Sequence, residues 1–332
     1  MTSTAMTGRP PVVEFAGVAK HYGAVRAVKG IDLTIRRGES IALLGRNGAG
    51  KSTSIGILLG LLPPSAGRVR LFGDTPEAAV RSGRIGAMLQ EGALITRVTV
   101  RELVAFVAGT YPRPLPVAET LELAGLTELA QRRADRLSGG QAQRLRFALA
   151  MAGGPELVVL DEPTAALDVG ARREFWAAMH SYAARGNTVL FSTHYLEEAD
   201  ENADRIVVID KGLKVADGTG EEIKRTVGGN VVAFELGDRS SEGLEQLPGV
   251  TSVEIRRGRA YLRSADSDAT VLALAERGDV RNLEVRVSRL EDAFVALTTG
   301  KDDLDGQEGS QAHRAGDGHE NDGYEDREEA VV

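Results

Sequence analysis

Gly45-Arg46-Asn47-Gly48-Ala49-Gly50-Lys51-Ser52-Thr53 lies between two apolar runs, Ser40-Ile41-Ala42-Leu43-Leu44 before it and Ile55-Gly56-Ile57-Leu58-Leu59 after it. The order reads as strand, glycine-rich turn and buried helix. The spacing fits G-x-x-x-x-G-K-S/T, a loop whose backbone N–H groups wrap a polyphosphate. Side chains at the glycine positions would block that approach, and the helix behind adds unpaired N–H groups and the positive end of its dipole. Lys51 is expected to reach the β- and γ-phosphates and the Ser52 hydroxyl to ligate Mg²⁺. Gly45, Asn47, Gly48, Ala49, Gly50 and Thr53 complete the cradle.

Around this loop the chain has room for more than one domain: 332 residues, 42% of them hydrophobic and 27% charged. No apolar run approaches the roughly 18–20 residues that span a bilayer. Met1–Pro10 has no apolar segment of the kind a signal peptide carries. Cysteine is absent, which excludes disulfides and thiolate chemistry, and a reducing setting is the simplest fit. The net charge of −8 falls entirely on 301–332, where eleven acidic residues face three basic ones. That stretch, nearly without apolar residues, is expected to be a disordered tail. The remainder is formally neutral, which argues against a broad basic face, and no nucleic-acid partner is expected.

Periodicity divides the rest. Val12–Val18 and Ile31–Ile35 alternate like half-buried strands, with a turn at His21–Arg26 between them, and Gly67–Phe72 adds a short strand. A helical stretch follows, opened by the capping box Thr99-Val100-Arg101-Glu102. Ser138 is placed as the N-cap of a long helix, and Leu157–Leu160 reads as a central parallel strand. It ends in Asp161-Glu162, where a sheet edge puts carboxylates against a ligand. There Asp161 can hold Mg²⁺ through water and Glu162 can polarise an attacking water. Beyond Gly228 the pattern becomes β-α-β-β-α-β, with helices expected over 241–247 and 268–277.

These motifs in this order resemble the ATP-binding-cassette (ABC) ATPases over Val12 to about Val227. Gly45–Thr53 looks like Walker A, Gln90 stands at the Q-loop position, and Leu137-Ser138-Gly139-Gly140-Gln141 is an intact LSGGQ signature. Leu157–Glu162 looks like Walker B, Ala166-Leu167-Asp168 like the D-loop, His194 like the switch histidine and Tyr22 like the aromatic that stacks on adenine. The D-loop departs slightly, since many relatives have glycine where Ala166 stands.

The resemblance implies a P-loop NTPase of the ABC type, with an antiparallel β subdomain and a helical signature subdomain. The layout expected is a flexible arm at 1–11, a cassette at 12–227 with its helical part at about 97–153, a small C-terminal α+β domain at 228–299 and the acidic tail at 300–332. It also implies that two cassettes meet head to tail. ATP and Mg²⁺ would then lie between the phosphate loop of one and Ser138, Gly139, Gly140, Gln141 and Asp168 of the other. Gln90 would ligate Mg²⁺ or water, and His194 would contact the γ-phosphate.

Ser288-Arg289-Leu290-Glu291-Asp292-Ala293-Phe294 is similar to the end of daunorubicin-resistance-type ATPases. These serve ABC-2 exporters of drugs, antibiotics or lipids, whose permeases are separate polypeptides. The reading is therefore an ATPase at the cytoplasmic face of the cell membrane, tied to a permease and a second cassette. An importer ATPase is the nearer alternative. A soluble ABC ATPase acting on ribosomes or DNA is disfavoured, because each motif occurs once and only about 84 residues separate Thr53 from Leu137.

Overall fold

The computed structural model describes residues 10–90, 94–165, 167–226, 229–236, 240–278, 280–286 and 289–299. The expectations for the arm at 1–9, for Ala166, for Ser288 and for the tail lie outside these residues.

The chain opens with a hairpin, β1 (Val13–Tyr22) and β2 (Val25–Ile35), joined by Gly23-Ala24. His21–Arg26, expected as a turn, is therefore mostly strand: Tyr22 pairs with Val25, and Gly23 turns the chain at φ +57. The apolar alternation stops short of these residues because the hairpin tip is solvent-exposed. β3 (Ser40–Leu44) runs through the phosphate loop into α1 (Lys51–Leu58), and β4 (Ala66–Leu71) pairs with β1 to close a three-stranded antiparallel sheet. A short helix, α2 (Pro76–Arg81), not anticipated from periodicity, precedes β5 (Ile85–Met88).

The helical stretch holds α3 (Val100–Ala108), α4 (Val117–Leu123) and α5 (Gly139–Met151). At the start of α3 both hydrogen bonds of the Thr99–Glu102 capping box are present. β6 (Leu157–Asp161), α6 (Val169–Ala183), β7 (Thr188–Thr193), α7 (Leu196–Asn202) and β8 (Arg205–Asp210) follow in alternation. Two further elements, β9 (Leu213–Gly218) and α8 (Gly220–Arg225), carry no clear period in the sequence.

The central sheet has the order β5-β6-β7-β3-β8-β9, parallel except for the edge strand β9. β3, β6 and β7 are buried at every position, as a parallel strand covered on both faces must be. Successive residues divide between two cores. Ile41, Leu43, Leu157 and Val159 face α1 and the antiparallel sheet, whereas Ala42, Leu44, Val158 and Leu160 face α5 and α6. Trp176 on α6 belongs to the second core, edge-on to Phe175 and Phe191.

Arg205 stitches the sheet edge together. Its guanidinium grips Asp217 of β9 at 2.6 and 2.9 Å and donates to the Thr34 carbonyl at 2.9 Å. Burial alone would raise the Asp217 carboxyl, but the hydrogen bonds and charges of Arg205 and Lys214 outweigh it and hold it below the ordinary carboxylate range.

The last part contains β10 (Asn230–Glu235), β11 (Val250–Arg256), β12 (Arg259–Ser264), α9 (Ser267–Glu276) and β13 (Arg281–Arg286). Its strands pair antiparallel in the order β11-β12-β10-β13, the split βαβ arrangement. The helix expected over 241–247 is instead a single 3₁₀ turn at Leu244–Gln246. Gly243 at φ +80 and Pro248 leave too few residues between them for a helix. The final helix, α10 (Leu290–Thr299), turns back onto α7, α8 and β9. Leu290, Ala293 and Phe294 are spaced to share one helical face, and all three are buried in the core on the α5–α6 side of the central sheet. Among the described residues no helix is long and apolar enough to cross a membrane.

Candidate functional site

The carboxyl ends of β3, β6 and β7 lie side by side, with Leu44 opposite Thr193 and Asp161 opposite Ser192 in parallel register. This sheet edge carries the phosphate loop, the paired acids and His194 together, at the place where α/β folds bind ligands. A cleft of about 270 Å³ opens there, lined by Asn47, Gly48, Gly50, Lys51, Ser52, Thr53, Gln90, Glu162 and Ala27.

The loop owes its shape to close backbone contacts. Gly50 caps α1 at φ +108, and a Cβ on it would stand 2.5 Å from the Ala27 carbonyl oxygen. No side chain can occupy that position without displacing β2. A Cβ on Gly45 would come within 2.4 Å of the Ile209 carbonyl oxygen. Ala49 is buried behind the loop, and Lys51 is only 5% exposed. The Lys51 ammonium donates to the carbonyls of Gly45 at 2.8 Å and Arg46 at 3.3 Å.

Glu162 is the hub of the cleft. It adopts φ +48, a left-handed conformation uncommon for a residue with a side chain and concentrated at functional sites. Its Oε1 lies 3.2 Å from His194 Nδ1 and 3.5 Å from Lys51 Nζ, and Gln90 Nε2 donates to Oε2 at 3.5 Å. Asp161 is buried, and one of its oxygens accepts from the Ser192 hydroxyl. Ser192 Oγ in turn accepts from the Glu162 amide at 2.9 Å. Ser192 was not singled out in the sequence, where it is one more residue of the β7 run.

The remaining candidates sit outside the cleft. Ser138 caps α5: its Oγ accepts from the Gln141 amide at 3.3 Å, and Gln141 Oε1 accepts from the Ser138 amide at 3.1 Å. This engages the Gln141 side chain within the helix cap and leaves the Ser138 hydroxyl proton to donate elsewhere. Gly139 and Gly140 form the first turn of that helix. Gln143, unmarked in the sequence, ties the helix to the Walker B segment by donating to the Pro163 carbonyl at 2.5 Å. Asp168 caps α6, accepting from the Ala171 amide at 2.8 Å. Tyr22, at the end of β1, is 47% exposed and has the Lys20 ammonium 5.3 Å from its ring centroid. It does not line the cleft. Ala27, further along the same hairpin, does, and an alanine gives no sequence signal for it.

The sequence profile of the ABC transporter family matches residues 28–165. The Nod factor export ATP-binding protein I of Rhizobium johnstonii is 36% identical over 298 residues, covering 87% of this chain and 95% of that protein. Its counterpart in Paraburkholderia xenovorans is 36% identical over 295 residues, covering 86% and 96%. Among solved structures, an ATP-binding subunit of an ABC transporter superposes with a TM-score of 0.59 at 27% identity, covering 65% of this chain and 93% of the other. A dimeric ATP-binding cassette in a post-hydrolysis state, bound to ADP and Pi, gives 0.56 at 28% identity, covering 62% and 98%.

Proposed function

The chain belongs to the ATPase subunits of ABC transporters, and on that premise we propose that it binds ATP as one half of a head-to-tail pair and drives export through a separate ABC-2-type permease. The observation that carries the chemistry is the convergence of Lys51, Gln90 and His194 on the carboxylate of Glu162 at the edge of the phosphate cleft.

Each residue then has work suited to its position. The backbone N–H groups from Asn47 to Thr53 cradle the phosphates, and Lys51 exchanges the loop carbonyls for phosphate oxygens. Glu162 takes a proton from the attacking water, and His194, hydrogen-bonded to it, orients that carboxylate and faces the γ-phosphate. Among the described residues no group of three or more His, Asp or Glu could hold a metal by itself. That suits Mg²⁺, which takes one or two protein oxygens and fills its shell with water and phosphate. Ser52, Gln90 and Asp161 are the oxygen donors for it, and the ion would neutralise phosphate charge.

The cleft lacks the signature. Ser138, Gly139, Gly140, Gln141 and Asp168 are none of its lining residues, which supports a second cassette as the one that brings them to the γ-phosphate. The dimeric cassette with ADP and Pi supports this pairing. Export is favoured over import because the relatives aligned over nearly their whole length are named for export. A drug, antibiotic or lipid is the proposed cargo class, and the cytoplasmic face of the membrane is where the ATPase would meet its permease.

Replacing Glu162 with Gln tests the reading. A general base contributes about 10²–10⁴ in rate, so turnover should fall by at least about 100-fold. ATP affinity should stay within about threefold, because the cradle is untouched, and an ATP-bound dimer should accumulate. Hydrolysis at the wild-type rate would overturn the assignment of Glu162.

A further inference from the structure

Glu198, on α7, is only 4% exposed, and no part of the proposed hydrolysis uses it. Both of its oxygens are engaged. Oε1 accepts from the Thr164 hydroxyl at 2.6 Å, with Oε2 2.8 Å from the same group. Oε2 also accepts from the Thr193 hydroxyl at 3.0 Å. Arg172 Nε lies 3.2 Å from Oε1, an ion pair without hydrogen-bond alignment.

The partners belong to three different pieces of the site. Thr164 stands two residues beyond Glu162, on the turn that leaves β6. Thr193 immediately precedes His194, and its oxygen also accepts from the Tyr195 amide at 3.0 Å. Arg172 is in the first turns of α6, the helix capped by Asp168. Its guanidinium lies 5.2 Å from the Tyr195 ring, which packs against the His194 ring at 4.1 Å between centroids. One buried carboxylate therefore ties together the segments bearing Glu162, His194 and Asp168. A buried carboxylate is costly unless all its partners are in place, so displacement of any one segment is resisted by the other two.

We propose that Glu198 is a positioning residue for hydrolysis, holding the Glu162 turn, the His194 segment and the start of α6 in one register. The phosphate loop is not among its partners. Turnover should therefore depend on Glu198 while nucleotide binding does not. The inference rests on the proposed ATPase reading for the roles of Glu162 and His194.

The test uses the full-length protein, with mant-ATP affinity, steady-state kcat and thermal denaturation measured on each variant. Glu198→Gln keeps the shape but removes the charge facing Arg172 and turns one acceptor into a donor. It should lower kcat by about 10–100-fold with mant-ATP Kd within about threefold, as expected for loss of groups that set transition-state geometry. Thr193→Val removes one hydroxyl isosterically and should slow turnover, whereas Thr193→Ser should restore it. The Glu198→Gln/Thr193→Val double variant should be no slower than the worse single one, since both act through one carboxylate.

The proposal is overturned if Thr193→Val turns over as fast as Thr193→Ser, a comparison that stands even if Glu198→Gln does not fold. It is equally overturned if kcat, affinity and melting temperature fall in proportion. A wild-type protein that bound no mant-ATP would instead refute the ATPase reading itself.

Discussion

The two signature glycines offer a test that separates the needs of the fold from those of a partner. A Cβ on Gly140 would sit 2.6 Å from the Ala171 Cβ on α6, so alanine there forces α5 and α6 apart. Overpacking of this kind costs about 1–3 kcal/mol, which lowers the melting temperature by roughly 2–10 °C for a unit of this size. A Cβ on Gly139, one residue earlier, would meet nothing within 4 Å. Gly139 opens α5 and is not among the glycines at positive φ, so alanine there should be neutral or stabilise by up to about 1 kcal/mol. Within one chain, then, neither conformation nor packing demands glycine at 139. If a γ-phosphate from a second cassette approaches this helix start, the added methyl blocks it. Both substitutions are best made in the Glu162→Gln background, where bound ATP is not consumed, and read by thermal denaturation and by sedimentation with and without ATP. Gly139→Ala should melt at or above the parent temperature yet weaken the ATP-dependent dimer by at least about tenfold, about 1.4 kcal/mol. An undiminished dimer would refute the head-to-tail reading, whereas a large fall in melting temperature would show that the helix start is tighter than the free space around Gly139 indicates.

Lys51→Ala should abolish ATP binding while leaving the fold intact, and wild-type affinity measured by equilibrium titration would refute the cradle. Asp217→Asn should destabilise at neutral pH by about 1 kcal/mol, the scale of a partly exposed ion pair. The folded carboxyl titrates lower than the unfolded one, so its contribution is present above about pH 4 and is lost as the pH falls through the folded value. Urea midpoints of variant and wild type should therefore converge in strong acid and separate above it. Removing 301–332 should leave ATPase activity within about twofold, since an acid-rich segment with little apolar surface has little to bury; a large loss in a coupled-enzyme assay would show that the tail takes part.

What could be read from the sequence was what chemistry or burial restricts locally. The phosphate loop admits few residue types, and the structure shows why at Gly50, where a carbonyl from another strand closes the space. Leu157–Leu160 read as a central strand because both its faces are covered. The C-terminal strands were recognisable from alternation, but not the collapse of 241–247 into one turn, which depends on a glycine and a proline flanking a short segment. β9 and α8 escaped notice because β9 is an edge strand with no cleanly buried face and α8 spans only 6 residues. The partners of the Glu162 carboxylate carried motif positions, whereas the contacts Ser192–Glu162, Gln143–Pro163 and Glu198–Thr164 join residues 20–34 apart in the chain, which no local pattern encodes.

The arrangement also bears on how a transport ATPase can bind its fuel without wasting it. In the single chain, Glu162 is held between Lys51, His194 and Gln90, and its turn is locked by Glu198 to the start of α6. The proposed catalytic side would thus be assembled within one chain. What the chain does not bring to its own cleft is the signature, whose serine hydroxyl accepts one hydrogen bond in the α5 cap and keeps its proton to donate. In the proposed reading, completing the γ-phosphate shell would fall to another molecule. α10 adds a restraint of its own: Phe294 lies 6.0 Å from the guanidinium of Arg46 in the phosphate loop, while Leu290 and Ala293 pack into the same core as α6. On the proposed reading, binding and base catalysis would be properties of one chain, and the trigger would belong to the pair.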